Sequence, residues 1–432
     1  MPTTPRPQST GQPHSSCSAG TGSSVPALRE SKRCSRTPTG SRLRPASPSK
    51  TRGPRPRADP TARRPAAFVG AGGRDGARDL LECRRPMTGN CKPEPDPLAE
   101  AVSALMSHVP IPGGDSRTGP LVRSMIETCI ALARDPTPVV DLKLVDSALS
   151  EIRAALNCFR PYAHVRKVTM FGSARTRPEE PEYDLARTFA SNAADAGYMA
   201  ITGAGPGIMH ACQEGAGRER SFGVNIKLPF ENDANPEIHG DEKLVEFKYF
   251  FTRKLFFLKE SSAIVLFPGG FGTHDEGFEA LTLIQTGKSR LVPVIFLDTE
   301  KGTYWKTWDQ YVRDHILRLG LIGPDDMSLY TITNNADEAV REIQTFYRTY
   351  HSSRTIRGRL VIRTNHEVAA PVLEALSAEF ADILGGRPIV PREPYHEEFD
   401  EPALTHLPRI ELAFDTRSYG RLRQLINRLN ES

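Results

Sequence analysis

The sequence predicts an α/β fold: a Rossmann-like, doubly wound parallel sheet with a helical N-terminal lead-in and a small C-terminal α+β module. From Lys167 onward, short apolar runs alternate with amphipathic segments of helical period. This alternation is typical of parallel strands joined by crossover helices. Several of the runs end in Gly-rich turns, and ligands of such sheets bind beyond the carboxyl ends of the strands.

The predicted strands of this sheet are apolar runs of four to six residues. A helix is predicted between the first two, from Asp184 to Ala196, and another begins at Ile208. Continuous apolar runs of this length suit strands that are buried on both faces. The runs are Val168–Phe171, Tyr198–Thr202, Phe222–Ile226, Ala263–Phe267 and Val292–Leu297.

Two smaller regions flank the predicted sheet domain, which spans residues 164–350. Residues 96–163 carry apolar side chains at helical spacing, interrupted by Pro136 and Pro138, and form the predicted lead-in. Residues 355–432 contain two predicted strand-helix pairs. Their strands alternate on one face only, so we interpret this module as a structural or oligomerisation element, with a regulatory ligand site as the alternative.

The N-terminal region, residues 1–95, is predicted to be a disordered basic tail. Residues 1–75 hold 14 Lys and Arg against three acids, with abundant Pro, Ser and Gly. Such a composition cannot bury enough apolar surface to offset the entropy of ordering. The tail could contact RNA, could resemble a transit peptide, or could lie upstream of a true start at Met87. These alternatives stay open.

Charge and cysteine content restrict the remaining function classes. Residues 76–432 hold 42 basic and 49 acidic side chains, a net charge of −7, so nucleic acid is not expected as a partner of the folded part. The seven cysteines lack CxxC spacing, which favours a reducing cytoplasm and no metal site. No apolar run approaches the ~20 residues that span a bilayer. We expect a cytoplasmic protein without a membrane anchor, metal or cofactor.

Two Gly-rich turns predict a phosphate-binding site. The first, residues 203–207, reads Gly-Ala-Gly-Pro-Gly; the second, residues 268–273, reads Pro-Gly-Gly-Phe-Gly-Thr. Glycines let main-chain N–H groups approach an anion, and each following helix start adds partial positive charge. The spacing matches neither a dinucleotide fingerprint nor a P-loop. The predicted phosphate and nucleotide contacts are Ser173, Gly205, Gly207, Lys254, Gly269, Gly270, Gly272 and Thr273.

A carboxylate and a guanidinium accompany these turns. Glu276 lies one helical turn inside the helix that follows the second turn, and Arg253 lies in the helix before the preceding strand. Both are therefore predicted to face whatever sugar follows the bound phosphate. His274 and Asp275 are expected to face solvent. Ala204 adds a methyl group that is expected to narrow the first turn.

The motifs together resemble those of the lonely guy family of nucleoside 5'-monophosphate phosphoribohydrolases, long labelled lysine decarboxylases. The resemblance rests on the two turns, on Arg253-Lys254 and on the PGGxGTxxE pattern from Pro268 to Glu276, and covers about Lys167 to Tyr350. It implies that Arg253 and Glu276 are the catalytic pair. It also implies pockets formed between subunits, hence a homodimer or larger homo-oligomer.

The chemistry of N-glycoside hydrolysis agrees with these two side chains. Cleavage passes through an oxocarbenium-like sugar that a carboxylate stabilises, while a guanidinium stabilises the departing base. We therefore predict an N-glycoside hydrolase that converts a nucleoside 5'-monophosphate, such as AMP or a cytokinin ribotide, into free base and ribose 5-phosphate. The alternative is a non-catalytic nucleotide or cofactor carrier of the same fold.

Overall fold

The computed structural model describes residues 97–108, 118–227 and 233–432. The predicted basic tail, residues 1–95, lies outside the described residues. All described residues belong to one compact unit, which extends to the C-terminus.

The main sheet has seven strands, and every neighbouring pair in it is parallel. The predicted doubly wound, Rossmann-like fold is therefore confirmed. Two edge strands, Leu244–Phe247 and Tyr330–Thr333, were not predicted from the sequence, because their side chains are only partly buried and give a weaker apolar signal. The strands, in the order β4-β3-β2-β1-β5-β6-β7, are β1 (Lys167–Phe171), β2 (Met199–Thr202), β3 (Ser221–Ile226), β4 (Leu244–Phe247), β5 (Ala263–Leu266), β6 (Val294–Leu297) and β7 (Tyr330–Thr333).

Helices cover both faces of this sheet. Three of them, α4, α5 and α9, pack against one face, and four others, α3, α6, α7 and α8, pack against the opposite face. Each face thus has its own apolar core, as a doubly wound sheet requires. The helices are α1 (Pro97–His108), α2 (Thr118–Arg134), α3 (Val139–Phe159), α4 (Pro181–Asp195), α5 (Ile208–Ala216), α6 (Phe250–Glu260), α7 (Phe271–Gln285), α8 (Tyr304–Tyr311) and α9 (Ala336–Phe346).

The strand order reverses beside β1, which has β2 on one side and β5 on the other. In open α/β sheets, loops that leave adjacent strands on opposite faces separate at such a point and leave a crevice. The loops after β1, β2 and β5 are the serine-containing turn at residues 172–175 and the two Gly-rich turns. The topology therefore brings all three to one edge.

The last helix of the lead-in is part of the main core. The Phe159 ring stacks on Phe222 of β3, with ring centroids 4.4 Å apart. Farther back along α3, the Glu151 carboxylate accepts hydrogen bonds from the Lys248 main-chain N–H at 3.1 Å and from the Thr252 hydroxyl at 2.5 Å. Glu151 therefore ties α3 to the start of α6, the helix that carries Arg253.

The C-terminal module is built on a four-stranded antiparallel sheet in the order β10-β11-β9-β8. Its first strand starts at Tyr350 and, like the two-residue strand β10, was missed from sequence. Its apolar residues join the core on the α7 side of the main sheet. The elements are β8 (Tyr350–Ile356), β9 (Arg359–Thr364), α10 (Ala370–Glu379), β10 (Val390–Pro391), β11 (Arg409–Leu412) and α11 (Tyr419–Leu429).

None of the helices in the described ranges combines the length and the apolarity that a bilayer-crossing segment needs.

Candidate active site

A cavity of about 800 Å³ opens at the carboxyl ends of β1, β2 and β5, where the strand order reverses. Its wall combines the three loops with the start of α7 and one side of α6. The chemically informative residues that line it are Ser173, Gly203, Arg253, Gly269, Gly270, Gly272, Thr273, Glu276 and Tyr304.

The second Gly-rich turn supplies bare main chain to this cavity. Side chains added at Gly270 or Gly272 would meet no heavy atom within 4 Å, so packing does not explain either glycine. Gly269 differs, because its missing Cβ makes room for the Thr273 side chain. Gly270 precedes α7, whose N-terminus carries partial positive charge. An anion at this turn would therefore meet exposed main chain and a helix dipole together.

Glu276 lines the same cavity from the second turn of α7. Its side chain is only 12% exposed. Burial raises the pKa of Glu276 to about 7, against the opposing charges of Lys254 and Arg253. A buried carboxyl group that titrates near neutrality at a cavity wall is typical of functional acids and bases.

Arg253 reaches the cavity from α6 and is fixed by main-chain carbonyl groups. Its Nε donates to the carbonyl oxygen of Val224 at 2.8 Å, and Nη2 lies 3.5 Å from that of Gly203. Its guanidinium also lies over the Phe257 ring, 5.0 Å from the centroid. A side chain on Gly203 would overlap this guanidinium, so the first glycine of the first turn admits Arg253 to the cavity.

The structure thus brings together most of the predicted site residues. Ser173 joins them through its backbone, whose N–H donates to the Pro268 carbonyl at 3.1 Å and so ties the β1 loop to the second turn. Its hydroxyl accepts a hydrogen bond from the Arg175 N–H at 3.0 Å, as in a simple turn. The roles of these residues in binding or catalysis stay predictions.

Two glycines of the first turn need a correction. Among the described residues, the cavity wall includes Gly203 but neither Gly205 nor Gly207. Gly207 has a φ of +66° and lies against the Ser173 carbonyl, so it serves the close contact of two loops. The Ala204 methyl is fully buried with Ala234 and Ile238 and does not narrow the cavity.

Lys254, predicted to bind phosphate, also lies elsewhere. Its ammonium group contacts three carboxylates of α7: Glu279 at 2.5 Å, Asp275 at 2.7 Å and Glu276 at 3.9 Å. The Lys254 side chain is 13% exposed. Lys254 is not among the described residues that line the cavity. Consecutive residues of a helix point about 100° apart; here Arg253 faces the cavity, whereas Lys254 faces the carboxylates of α7.

The prediction that His274 faces solvent was wrong. Its Nε2 lies 2.7 Å from the Tyr304 hydroxyl, which donates to the Gly269 carbonyl at 2.5 Å. The His274 ring packs against Phe278 and Trp305, and burial lowers its pKa. Tyr304 was missed because it follows β6 without any motif; its position beyond a strand end was the one available signal. Together these groups brace the second turn.

Residues 208–343 match the family model described as "Possible lysine decarboxylase". The match includes Arg253, the second Gly-rich turn and Glu276, and it agrees with the resemblance drawn from the motifs. No curated protein matches the chain.

Solved structures with the same fold include proteins with different stated roles. The molybdenum cofactor binding protein of Rippkaea orientalis is 17% identical, over 41% of this chain and 94% of its own, with a TM-score of 0.30. The Moco carrier protein of Chlamydomonas reinhardtii is 17% identical, over 42% and 96%, also at 0.30. DNA processing protein A of Helicobacter pylori is 14% identical, over 42% and 82%, at 0.30. Likeness at this level carries no functional argument.

Proposed function

We propose that this protein hydrolyses the N-glycosidic bond of a nucleoside 5'-monophosphate, such as AMP or a cytokinin ribotide, to free base and ribose 5-phosphate. The observation that carries the proposal is the shared cavity. It holds a buried carboxyl group, a fixed guanidinium and a turn of bare main chain at a helix start. These three groups match the sugar, the base and the phosphate of one small substrate.

The phosphate site is the turn from Gly269 to Thr273. Phosphate oxygens accept hydrogen bonds from main-chain N–H groups, and the α7 dipole favours the negative charge. Binding there places the ribose over the first turn of α7, beside Glu276. The phosphate is therefore the anchor that sets the distance between the sugar and the carboxylate.

Glu276 acts as the carboxylate that faces the developing oxocarbenium ion. The C1'–N bond breaks with its electron pair leaving on the base, and the oxygen of a water molecule bonds to C1'. Ionised Glu276 stabilises the positive sugar and accepts the proton that this water loses. The departing base takes up one proton from solvent, so the reaction consumes one water molecule overall.

Arg253 stabilises the base as it leaves. Its guanidinium stays protonated at all physiological pH values, so it acts as a fixed charge and not as a proton donor. The carbonyl groups of Val224 and Gly203 hold it in place before substrate binds. A charge that is already oriented needs no reorganisation during the reaction and contributes on the order of 10²-fold in rate.

The decarboxylase description of the family has no support in this cavity. Amino-acid decarboxylation uses an electron sink, of which pyridoxal phosphate on a lysine Schiff base is the common form. Among the described residues that line the cavity there is no lysine. Lys254, the nearest, is engaged by three carboxylates.

The direct test incubates the full-length protein with AMP, other nucleoside monophosphates and isopentenyladenosine monophosphate, followed by chromatography for free base. We expect base release by the wild type and none by Glu276→Ala, with AMP affinity mostly retained. A control is Glu393→Ala, which removes an exposed carboxylate of the C-terminal module that is not among the described residues lining the cavity. Binding of nucleotide without base release by the wild type would instead establish a carrier.

We also propose that the active form is a homodimer or a larger homo-oligomer. Large apolar side chains are exposed at the cavity mouth, most clearly Phe271, which is 96% exposed, and Phe250, which is 53% exposed. Such side chains beside a small-molecule site favour coverage by another protein surface. Size-exclusion chromatography with light scattering tests this, and a fully active monomer would contradict it.

A further inference from the structure

Lys254 lies directly behind the carboxyl group to which we assign catalysis. Its side chain runs from α6 to α7, where its ammonium group lies within 4 Å of three carboxylates. Glu279 and Asp275 are the close partners, at 2.5 and 2.7 Å, whereas Glu276 is 3.9 Å away. The two short contacts fix the ammonium group. The Glu276 carboxyl group, at the longer distance, also lines the cavity.

We propose that Lys254 is a positioning residue that keeps Glu276 ionised from behind the cavity, and that it does not bind the substrate phosphate. The inference rests on the proposed hydrolase function, because it gives Glu276 a charge state that the reaction needs. It also gives a role to Lys254, the second residue of the Arg253-Lys254 pair. From the sequence alone, Lys254 was predicted to bind the phosphate.

The strongest charge effects on Glu276 come from two helices. On α6 they are Arg253 and Lys254; on α7 they are Asp275 and Glu279. The two acids oppose ionisation of Glu276, and the two cations favour it. Lys254 therefore does two things at once: it neutralises the neighbouring acids and contributes its own field at Glu276.

The ammonium group is itself held in the charged form. Burial acts to lower the pKa of Lys254, but hydrogen bonds to Asp275 and Glu279 outweigh burial and raise that pKa above its ordinary value. A charge that persists throughout the working pH range suits a positioning role. Removing it would leave Glu276 beside two uncompensated acids, so Glu276 would take up a proton more readily.

The decisive experiment follows the Glu276 carboxyl group directly. Full-length protein labelled with ¹³Cδ-glutamate is titrated by NMR, and the Glu276 signal is assigned by its loss in Glu276→Gln. We expect Lys254→Met to move the Glu276 midpoint upward by about one pH unit and Lys254→Arg to leave it nearly unchanged. Lys259→Met is the matched control, because Lys259 lies on the same helix and pairs with Glu260.

Kinetics with AMP provide the second readout. In Lys254→Met we expect kcat at pH 7 to fall about fivefold, to recover at about pH 9, and KM to stay within about threefold of the wild type. An unchanged Glu276 midpoint together with a KM raised tenfold or more would overturn the proposal and show phosphate binding. Circular dichroism melting of each variant separates these effects from misfolding.

The two proposals fail in different ways. If the wild type releases no base from any nucleotide, the hydrolase function fails, while the NMR titration still decides whether Lys254 controls the charge of Glu276. If base is released but the midpoint does not move in Lys254→Met, the hydrolase function stands and the role of Lys254 is wrong.

Discussion

The two Gly-rich turns look alike in sequence and differ in structure. In the first, residues 203–207, neighbouring atoms occupy the space beside the glycines: Arg253 and Met209 lie against Gly203, and the Ser173 carbonyl lies against Gly207. In the second, Gly270 and Gly272 face open space. One turn is therefore built by packing, and the other presents bare main chain to a cavity. Glycine spacing alone does not distinguish a contact inside the protein from a contact with a ligand.

The largest effect on stability is expected in the first turn. Gly207→Ala places a methyl group against the Ser173 backbone at a φ of +66°, a conformation that alanine rarely adopts. We expect a loss of about 3 kcal/mol in the free energy of unfolding, since strain and overpacking add. Urea denaturation measures it. A variant as stable as the wild type would show that the two loops can separate at little cost.

Among the glycines of the two turns, the largest effect on activity without unfolding is expected at Gly203. A methyl group there overlaps the Arg253 guanidinium, which has to leave the Val224 and Gly203 carbonyl groups. We expect Gly203→Ala to lower kcat with AMP by about 10²-fold. Gly205→Ala is the control, because its methyl group meets only the flexible end of Met209. Equal activity in both variants would show that catalysis does not depend on the position of Arg253.

The helix after the second turn carries a buried carboxyl group, Glu276, whose ionisation opposes folding. The pKa of Glu276 is about 7 in the folded chain, well above its ordinary value of 4.5. Between pH 4.5 and pH 7, Glu276 is ionised in the unfolded chain but still protonated in the folded chain. The free energy of unfolding of the wild type therefore falls as the pH rises. We expect Glu276→Gln to match the wild type at low pH and to exceed it by roughly 3 kcal/mol at pH 8. Urea denaturation at both pH values checks this, and no gain at pH 8 would contradict it.

The smallest effect on stability is expected in the second turn. Gly272→Ala adds a methyl group that meets no protein atom within 4 Å. Stability should stay within about 0.5 kcal/mol of the wild type, while KM for AMP should rise about tenfold because the methyl group enters the phosphate site. Steady-state kinetics decide the matter. An unchanged KM would show that the second turn, like the first, serves packing and does not bind the phosphate.

The sequence was sufficient for the five central strands of the main sheet but not for its two edge strands or for the direction of each side chain. The buried strands gave clear apolar runs, and the edge strands β4 and β7 did not. The pattern also brought Glu276 and Arg253 to one strand edge, because that follows from topology. It could not separate Arg253 from Lys254, since their different directions depend on how α6 is rotated against α7.

Contacts between distant segments explain what else was missed. Glu151 holds the start of α6 from a helix about 100 residues earlier, and no local sequence motif predicts this contact. Tyr304 and His274 brace the second turn across about 30 residues. Such contacts depend on tertiary packing, whereas strand alternation and turn composition are local signals.

A crystal structure of Glu276→Gln soaked with AMP would show directly whether one nucleotide occupies all three parts of the cavity, because slow turnover preserves the substrate. We expect the phosphate within hydrogen-bond distance of the main-chain N–H groups at Gly270–Thr273, with C1' against the substituted side chain on α7 and the base towards Arg253. A phosphate bound to Lys254, or a ribose on the far side of the cavity from that side chain, would contradict the proposed hydrolase site.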